Sequence, residues 1–272
     1  MSESVSFERA ADFYDATRAL PDEVADQLTK ALLAELSRIG ADRVLEVGVG
    51  TGRISRPLME RGIRVQGIDI SPAMMRTLRQ QLGARHIVPD LMLGDATRLP
   101  VASDSVPAVL MVHILHLVSS MPEAVAEVAR VIKPGGVLLH DMTRYSAGHV
   151  HEGPWQASAD IWAAALAPHD YERRRRPEPE EVHAALKAQG ATIRVEQYAT
   201  YEETSTPQEH LDAVRNRIYS WSWEFPDDLF NEVFAEYEPK YRARYGDMDR
   251  ELTDTHVHEL EVWTFPRPKL PM

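Results

Sequence analysis

A strand-then-helix rhythm along the first half of the chain constrains its fold most strongly. Short apolar, β-branched runs alternate with helical segments, beginning with the run Arg43–Gly48 and a helix over about Arg53–Arg61. This alternation is typical of a doubly wound, mostly parallel α/β sheet with helices on both faces. Ligands of such sheets bind beyond the carboxyl ends of the strands. The strands that we predict are 43–48, 65–70, 91–93, 106–112, 137–141, 192–198 and 259–265.

Helical segments precede and interrupt the predicted sheet. Residues 207–247 are rich in aromatic side chains and predict two helices, yet they stand between two predicted strands. We therefore expect this stretch to project from the sheet as a helical cap. The predicted organisation is an N-terminal helical lid (1–40), a Rossmann-like core (41–145, completed by about 180–200 and 256–266) and helical cap insertions that carry the substrate site (146–179 and 201–255).

Composition excludes several classes of function. The 272 residues contain no cysteine, which removes disulfides and thiolate chemistry and fits a cytoplasmic protein. A net charge of −12 disfavours nucleic acid as a partner. The longest apolar run, Val106–Val118, is too short to span a membrane. The pairs His149/His151 and His256/His258 lack a third ligand, so we expect no metal site. We also expect a monomer or a homodimer.

A glycine-rich turn follows the first predicted strand. Three alternate glycines, Gly48, Gly50 and Gly52, let the backbone turn tightly and approach a ligand without an intervening Cβ. The helix behind them offers unpaired N–H groups. Nicotinamide enzymes use a similar loop, but their sixth position is glycine, and here it is Arg53. Glu46, two residues before the first glycine, is not part of that pattern either.

Two further carboxylates end the next two predicted strands. Asp69 can accept hydrogen bonds from both hydroxyls of a ribose; the alternative is that it caps the helix starting at Ser71. Asp95 can accept from the exocyclic amine of an adenine, while the N–H of Ala96 reaches a ring nitrogen. In series with the glycine turn, these residues predict an adenosine site that needs no pyrophosphate.

This set of motifs resembles the class I S-adenosylmethionine (SAM)-dependent methyltransferases. The similarity is to their small-molecule branch, which includes the ubiquinone/menaquinone-biosynthesis type. It implies a seven-stranded sheet with an antiparallel last strand, SAM as cofactor and a small-molecule methyl acceptor. The residues that carry it are Val44–Gly52, Gly67-Ile-Asp-Ile-Ser-Pro72, Gly94-Asp-Ala96, Leu115-His116 and Arg130-Val-Ile-Lys-Pro-Gly-Gly136, with Tyr14-Asp-Ala-Thr-Arg18 similar to the segment that closes over the cofactor.

The resemblance also implies individual roles. Glu46 would lie at the methionyl end of SAM, Asp69 would bind the ribose and Asp95 the adenine. Tyr14 and Arg18 would lie near the methionyl carboxylate. The cofactor-binding residues predicted in this way are Tyr14, Arg18, Glu46, Gly48, Gly50, Gly52, Asp69, Ile70, Asp95, Ala96 and His113.

A catalytic base is required only when the acceptor carries a proton that must leave. His113 and His140 follow or end predicted strands near the cleft, and histidine titrates close to neutral pH, so both are candidate bases. The sequence predicts a SAM-dependent methyltransferase acting on a small molecule, without deciding between an oxygen, nitrogen or carbon acceptor. A non-catalytic SAM-binding regulatory protein and a nicotinamide-dependent oxidoreductase stay open as alternatives.

Overall fold

A computed structural model describes Ser4, Phe7 and residues 20–145, 154–173 and 175–266; of residues 142–145 and 154–156 it describes the backbone alone. Its elements, in chain order, are α1 (Asp22–Arg38), β1 (Arg43–Val47), α2 (Ser55–Glu60), β2 (Arg64–Asp69), α3 (Pro72–Gly83), β3 (Asp90–Leu93), β4 (Val106–Val112), α4 (Met121–Val131), β5 (Ile132–Tyr145), α5 (Pro154–Leu166), α6 (Pro179–Ala188), β6 (Thr192–Ser205), α7 (Pro207–Arg215), a 3₁₀ turn (Ser220–Ser222), α8 (Asp227–Tyr245) and β7 (Leu252–Thr264).

The strands form one sheet in the order β3-β2-β1-β4-β5-β7-β6. The pairs β1–β2, β1–β4, β2–β3 and β4–β5 are parallel. Two backbone bonds, Gly135 N–H to Phe265 O (3.1 Å) and Phe265 N–H to Gly136 O (3.0 Å), join the start of β5 to the end of β7, so β7 runs antiparallel to it. The predicted fold class, a doubly wound sheet of seven strands with an antiparallel last strand, is confirmed.

The order in which successive strands are added to the sheet reverses between β1 and β4. From β1 the strands follow one another outward to β3, and β4 then returns to the other side of β1. The carboxyl ends of both strands therefore border one crevice, which is where ligands of open α/β sheets bind.

Alternating side chains along the strands create a core on each face of the sheet. In β1, Leu45 and Val47 belong to one buried cluster, while Val44 belongs to the other together with Leu110 of β4 and Leu260 of β7. Each such fully buried side chain contributes about 1.5–3 kcal/mol through removal of apolar surface from water.

The helix after the glycine turn is shorter than predicted. We expected it to begin at Arg53, but α2 spans only Ser55–Glu60. Gly52 has a φ of +78°, outside the helical region, and Arg53 and Ile54 form a turn before the helix begins. The predicted start of α3 is correct: the Ser71 hydroxyl accepts a hydrogen bond from Met74 N (3.2 Å), and Pro72 follows.

The chain divides into two compact units. The first contains residues up to 143, with 176–199 and the residues from 258 onward. The second contains 144–175 and 200–257, so its sequence is inserted at two places in the first.

The second unit has an aromatic interior of its own. Trp162 of α5 lies at its centre, and its ring centroid is 4.9–5.6 Å from the rings of Trp221, Phe225, Phe230 and Tyr237. Ser158 bonds to both His210 (2.9 Å) and the Tyr237 hydroxyl (2.8 Å) within the same interior. The predicted helices of residues 207–247 correspond to α7 and α8.

Candidate active site

The glycine turn after β1 has the left-handed backbone that its sequence predicts. Gly48, Gly50 and Gly52 have φ values of +78°, +54° and +78°. A Cβ on Gly48 would lie 2.1 Å from Ile114 Cδ1, and one on Gly52 would lie 2.3 Å from Leu78 Cδ1. A Cβ on Gly50 would meet no atom within 4 Å. Two of the glycines therefore permit close packing within the protein, whereas Gly50 presents open backbone.

Asp69, at the end of β2, is bonded to the glycine turn. Its Oδ2 accepts from Gly50 N (2.8 Å), and its Oδ1 accepts from Ser71 N (2.8 Å). The two roles weighed for Asp69 are thus compatible: it orders the start of α3 and the turn, and a carboxylate has about four acceptor positions in all. Its contact with a ribose stays a prediction.

Asp95 follows β3 and also accepts several hydrogen bonds. Thr97 donates to Oδ1 from its backbone N (2.8 Å) and its hydroxyl (2.7 Å), and Ser4 donates to Oδ2 (2.9 Å). Partial burial opposes the charged form, but the bonds from Thr97 and Ser4 outweigh it and keep the pKa of Asp95 below its usual range. Asp95 is therefore a charged acceptor at neutral pH, beside the buried Ala96.

Glu46 is a buried acid whose charge is poorly supported. The residue is 2% exposed, and its Oε2 has no hydrogen-bond partner among the described residues. Burial raises its pKa from 4.5 to about 8, against opposing effects of the Ser55 hydroxyl and the Arg53 charge. A buried carboxyl oxygen without a hydrogen bond is costly, and a cationic group beside Oε2 would lower that cost.

His113 follows β4 in a strained conformation, with a φ of +54°. Burial, followed by the positive charge of Arg53, lowers its pKa from 6.5 to about 3. The imidazole is therefore neutral at pH 7 and a weak proton acceptor. Its roles as a base and as a cofactor contact stay predictions, and this low pKa argues against proton uptake by His113 at neutral pH.

His140 lies in a buried network on β5 and β7. Its Nδ1 is 3.1 Å from Glu261 Oε2, and Glu261 also bonds to His183 Nε2 (2.7 Å) and Trp263 Nε1 (3.1 Å). Burial opposes the charge of Glu261, but the bonds from His140, Trp263 and His183 lower its pKa to about 2. One nitrogen of His140 is thus committed to a buried hydrogen bond with Glu261, which weakens the argument for it as a base.

A second polar group, absent from the predicted site, links three strands of the first unit. The Tyr198 hydroxyl of β6 donates to Asp141 Oδ2 of β5 (3.1 Å) and lies 3.2 Å from His258 Nδ1 of β7. We call Asp141, Tyr198 and His258 the three-strand cluster. Only the pairing order of β5, β7 and β6 brings these residues together, and the sequence does not reveal that order.

Some predicted residues cannot be placed. Tyr14 and Arg18 lie outside the described residues, as do His149 and His151. Ile70 follows Asp69 directly at the end of β2 and is half-buried. Within the described ranges, no cluster of three or more His, Asp or Glu side chains could hold a metal ion. No described helix has the length and apolar character needed to cross a bilayer.

Comparison with known proteins finds a family match for the core of the first unit. Residues 45–140 match the methyltransferase domain family. A malonyl-[acyl-carrier protein] O-methyltransferase of Serratia marcescens is 35% identical over 153 residues, which are 56% of each chain. A demethylmenaquinone methyltransferase of Tropheryma whipplei is 36% identical over 135 residues, 49% of this chain and 55% of the relative. The chain thus matches about half the length of these curated relatives.

A solved structure extends the likeness to nearly the whole chain. The [4+2]-cyclase SpnF superposes with a TM-score of 0.57 over 97% of this chain and 98% of its own, at 18% identity. At that identity the likeness shows the fold alone. The family match over residues 45–140 and the glycine turn make the core similar to the methyltransferase domains of these relatives.

Proposed function

We propose that this protein transfers the methyl group of SAM to a small-molecule acceptor. One observation carries the proposal: Glu46, Asp69 and Asp95 lie at or just beyond the carboxyl ends of β1, β2 and β3, which are neighbours in the sheet. Three acids in this order match the methionyl, ribose and adenine parts of one extended cofactor.

The residues of the first unit fit such a cofactor. The unpartnered oxygen of Glu46 suits the methionyl ammonium, because a cation would restore the ionised form of this buried acid. Open space at Gly50 allows a ligand to approach the backbone closely. Asp69 would accept from the ribose, and Asp95 from the adenine amine in place of the Ser4 hydroxyl.

When bound, SAM supplies an electrophilic methyl on a positively charged sulfur. The contribution of the chain is to align the acceptor with that methyl and to exclude water; such orientation is worth about 7–11 kcal/mol in favourable cases. Because His113 is neutral, it places no repelling charge beside a sulfonium. The unpartnered oxygen of Glu46 therefore favours a cationic ligand.

Calorimetry with SAM and S-adenosylhomocysteine tests the proposal. We expect one site per chain for both and no binding of NAD or NADP, which separates it from the oxidoreductase alternative. Asp69→Asn is expected to weaken SAM binding, whereas Asp42→Asn, an exposed acid before β1 at the opposite end of the sheet, leaves it unchanged. Saturable dinucleotide binding without SAM binding would overturn the proposal.

Methyl transfer is then measured directly, with label in the SAM methyl group. This second arm is needed because a non-catalytic regulatory protein would also bind SAM, and because the fold occurs in a protein named as a cyclase. Binding of SAM without transfer to any compound of a metabolite extract would favour the regulatory alternative.

A further inference from the structure

The three-strand cluster has a defined direction of hydrogen bonding. Tyr198 has a single hydroxyl proton, and it donates this proton to Asp141 Oδ2. The Tyr198 oxygen can then only accept from His258, whose Nδ1 lies 3.2 Å away. Burial raises the pKa of Tyr198 above its usual range, so the hydroxyl stays protonated. The His258 bond thus orients the Tyr198 hydroxyl, and the Tyr198 bond fixes Oδ2, one of the two oxygens of the Asp141 carboxylate.

Among the described residues, the other oxygen of Asp141 has no hydrogen-bond partner. Asp141 is 1% exposed, and its Oδ1 makes no hydrogen bond to any described residue. Burial raises its pKa from 3.8 to about 6, although the Tyr198 bond and the charges of His140 and Arg53 act in the opposite direction. Asp141 is thus a carboxylate that is ionised at pH 7 yet more basic than one in solvent.

Asp141 stands one strand away from the end of β4. It pairs with Val112, the residue before His113, and β4 in turn pairs with β1. Ile114, two residues beyond Val112, packs against Gly48 of the glycine turn. A short path across two strands therefore leads from the methionyl end of the proposed cofactor site to the Asp141 carboxyl.

Charged groups on several elements face this carboxyl. Arg53 acts electrostatically on Asp141 and Tyr198 as well as on Glu46, so its charge lies within range of both acids. His140 on the same strand also acts on Asp141, and His140 and His258 both act on His113. The cluster and the glycine turn thus share one electrostatic environment.

A purely structural role explains the cluster less well. A buried polar network that only stabilises the sheet is expected to satisfy both carboxylate oxygens, as the neighbouring Glu261 does with three donors. In Asp141 two residues position one oxygen, and the other has no described donor. That arrangement is suited to accepting a proton from a ligand.

We infer that Asp141 is the proton acceptor for a protic methyl acceptor, a phenol, alcohol or amine, with Tyr198 and His258 as positioning residues. The inference rests on the proposed methyl transfer. The acceptor heteroatom gives its proton to Asp141 Oδ1 and uses its lone pair to form the bond to the methyl carbon. The carbon–sulfur bond breaks with its electron pair returning to sulfur, which becomes a neutral thioether. The proton on Asp141 then passes to solvent.

The test compares acceptors and variants at a series of pH values. The acceptors are phenol, benzyl alcohol and aniline, each with a proton to lose, and benzoate, which has none at pH 7. With a protic acceptor we expect kcat/KM to rise with pH through about 6. Asp141→Asn should remove this rise and lower kcat at least 100-fold at pH 7. With phenol its rate should recover as the pH approaches the pKa of phenol itself, and any turnover of benzoate should persist.

Tyr198→Phe separates positioning from folding. Removing its bond to Oδ2 should move the rise of kcat/KM with pH, which we call the pH limb, to a higher pH, because that bond lowers the pKa of Asp141. Carbon NMR of aspartate-labelled protein gives a readout without turnover: one carboxyl resonance, absent in Asp141→Asn, should titrate near pH 6 and higher in Tyr198→Phe. Glu35→Gln, an equally buried acid paired with Arg194, is the matched control and should leave the limb in place.

The outcomes distinguish this inference from the proposed function. Failure to bind SAM refutes the proposed function. If SAM binds, the inference is overturned by an Asp141→Asn variant that keeps kcat within tenfold, by a pH limb that persists in it, or by methylation of benzoate alone or of none of the four acceptors. If Asp141→Asn fails to fold, an unshifted limb or resonance in Tyr198→Phe overturns it instead.

Discussion

Glu46→Gln should make the ligand-free protein more stable and at the same time weaken its cofactor binding. At pH 7 the buried Glu46 carboxyl is protonated in the folded chain, since its pKa is about 8, but ionised in the unfolded chain, where its pKa is 4.5. Folding must therefore take up a proton, and stability falls as pH rises from about 4.5 to about 8. Glutamine has no such proton to bind.

The magnitude follows from the two pKa values. Each unit of pKa difference is worth about 1.4 kcal/mol, and pH 7 lies 2.5 units above 4.5, so the cost is about 3 kcal/mol. Removal of this cost is the largest gain that Glu46→Gln can give. The difference in stability between variant and wild type should grow by roughly 2–3 kcal/mol between pH 5.5 and 7.5.

Urea unfolding at those two pH values measures the effect. Because every other group titrates alike in the two proteins, the difference between them isolates Glu46. A variant less stable than the wild type at pH 7.5, or a difference that does not change with pH, would refute the reasoning.

The same substitution should act in the opposite direction on binding. If the carboxylate pairs with the methionyl ammonium, Glu46→Gln loses a charge-assisted bond worth about 1.5–3 kcal/mol, at least a tenfold loss of SAM affinity. Calorimetry in buffers of different ionisation enthalpy should also show proton release on binding to the wild type, and none to the variant. Equal affinities would place the ammonium elsewhere.

Other substitutions test separate parts of the site. Gly50→Ala should lower SAM affinity in a folded protein, because its Cβ enters open space and costs only about 1–2 kcal/mol of backbone strain. Gly48→Ala also collides with Ile114 and should lower the melting temperature further. Asp95→Asn should reduce affinity for SAM more than for free methionine, as judged by competition. Trp221→Ala, in the aromatic stretch predicted to cap the cleft, should change the acceptor KM while SAM affinity stays within threefold; the opposite pattern would contradict the cap.

The predictable parts of the site are those that short, continuous sequence segments determine. The sequence Glu46 to Gly52 carries its own turn, and Asp69 and Asp95 follow local strand signals, so their places at strand ends follow from the alternation alone. The three-strand cluster was not predictable, because Tyr198 is 57 residues from Asp141 and 60 from His258. Only the strand order β5-β7-β6 brings them together. Helix α5 falls within the helical insertion predicted for 146–179, but the sequence did not give its bounds, because its apolar, alanine-rich residues show only a weak amphipathic period.

The position of β7 between β5 and β6 has a consequence for synthesis. β7 is the last described strand to leave the ribosome, yet it occupies an interior place in the sheet. At about 5–20 residues per second, β6 waits roughly 3–12 s after its own completion for its neighbour. During that interval β5 and β6 present unpaired edges, and β5 could pair with β6 directly. The nascent chain therefore depends most on chaperones while residues 205 to 264 are being synthesised. A stop codon in this window would leave β5 and β6 without the strand that lies between them.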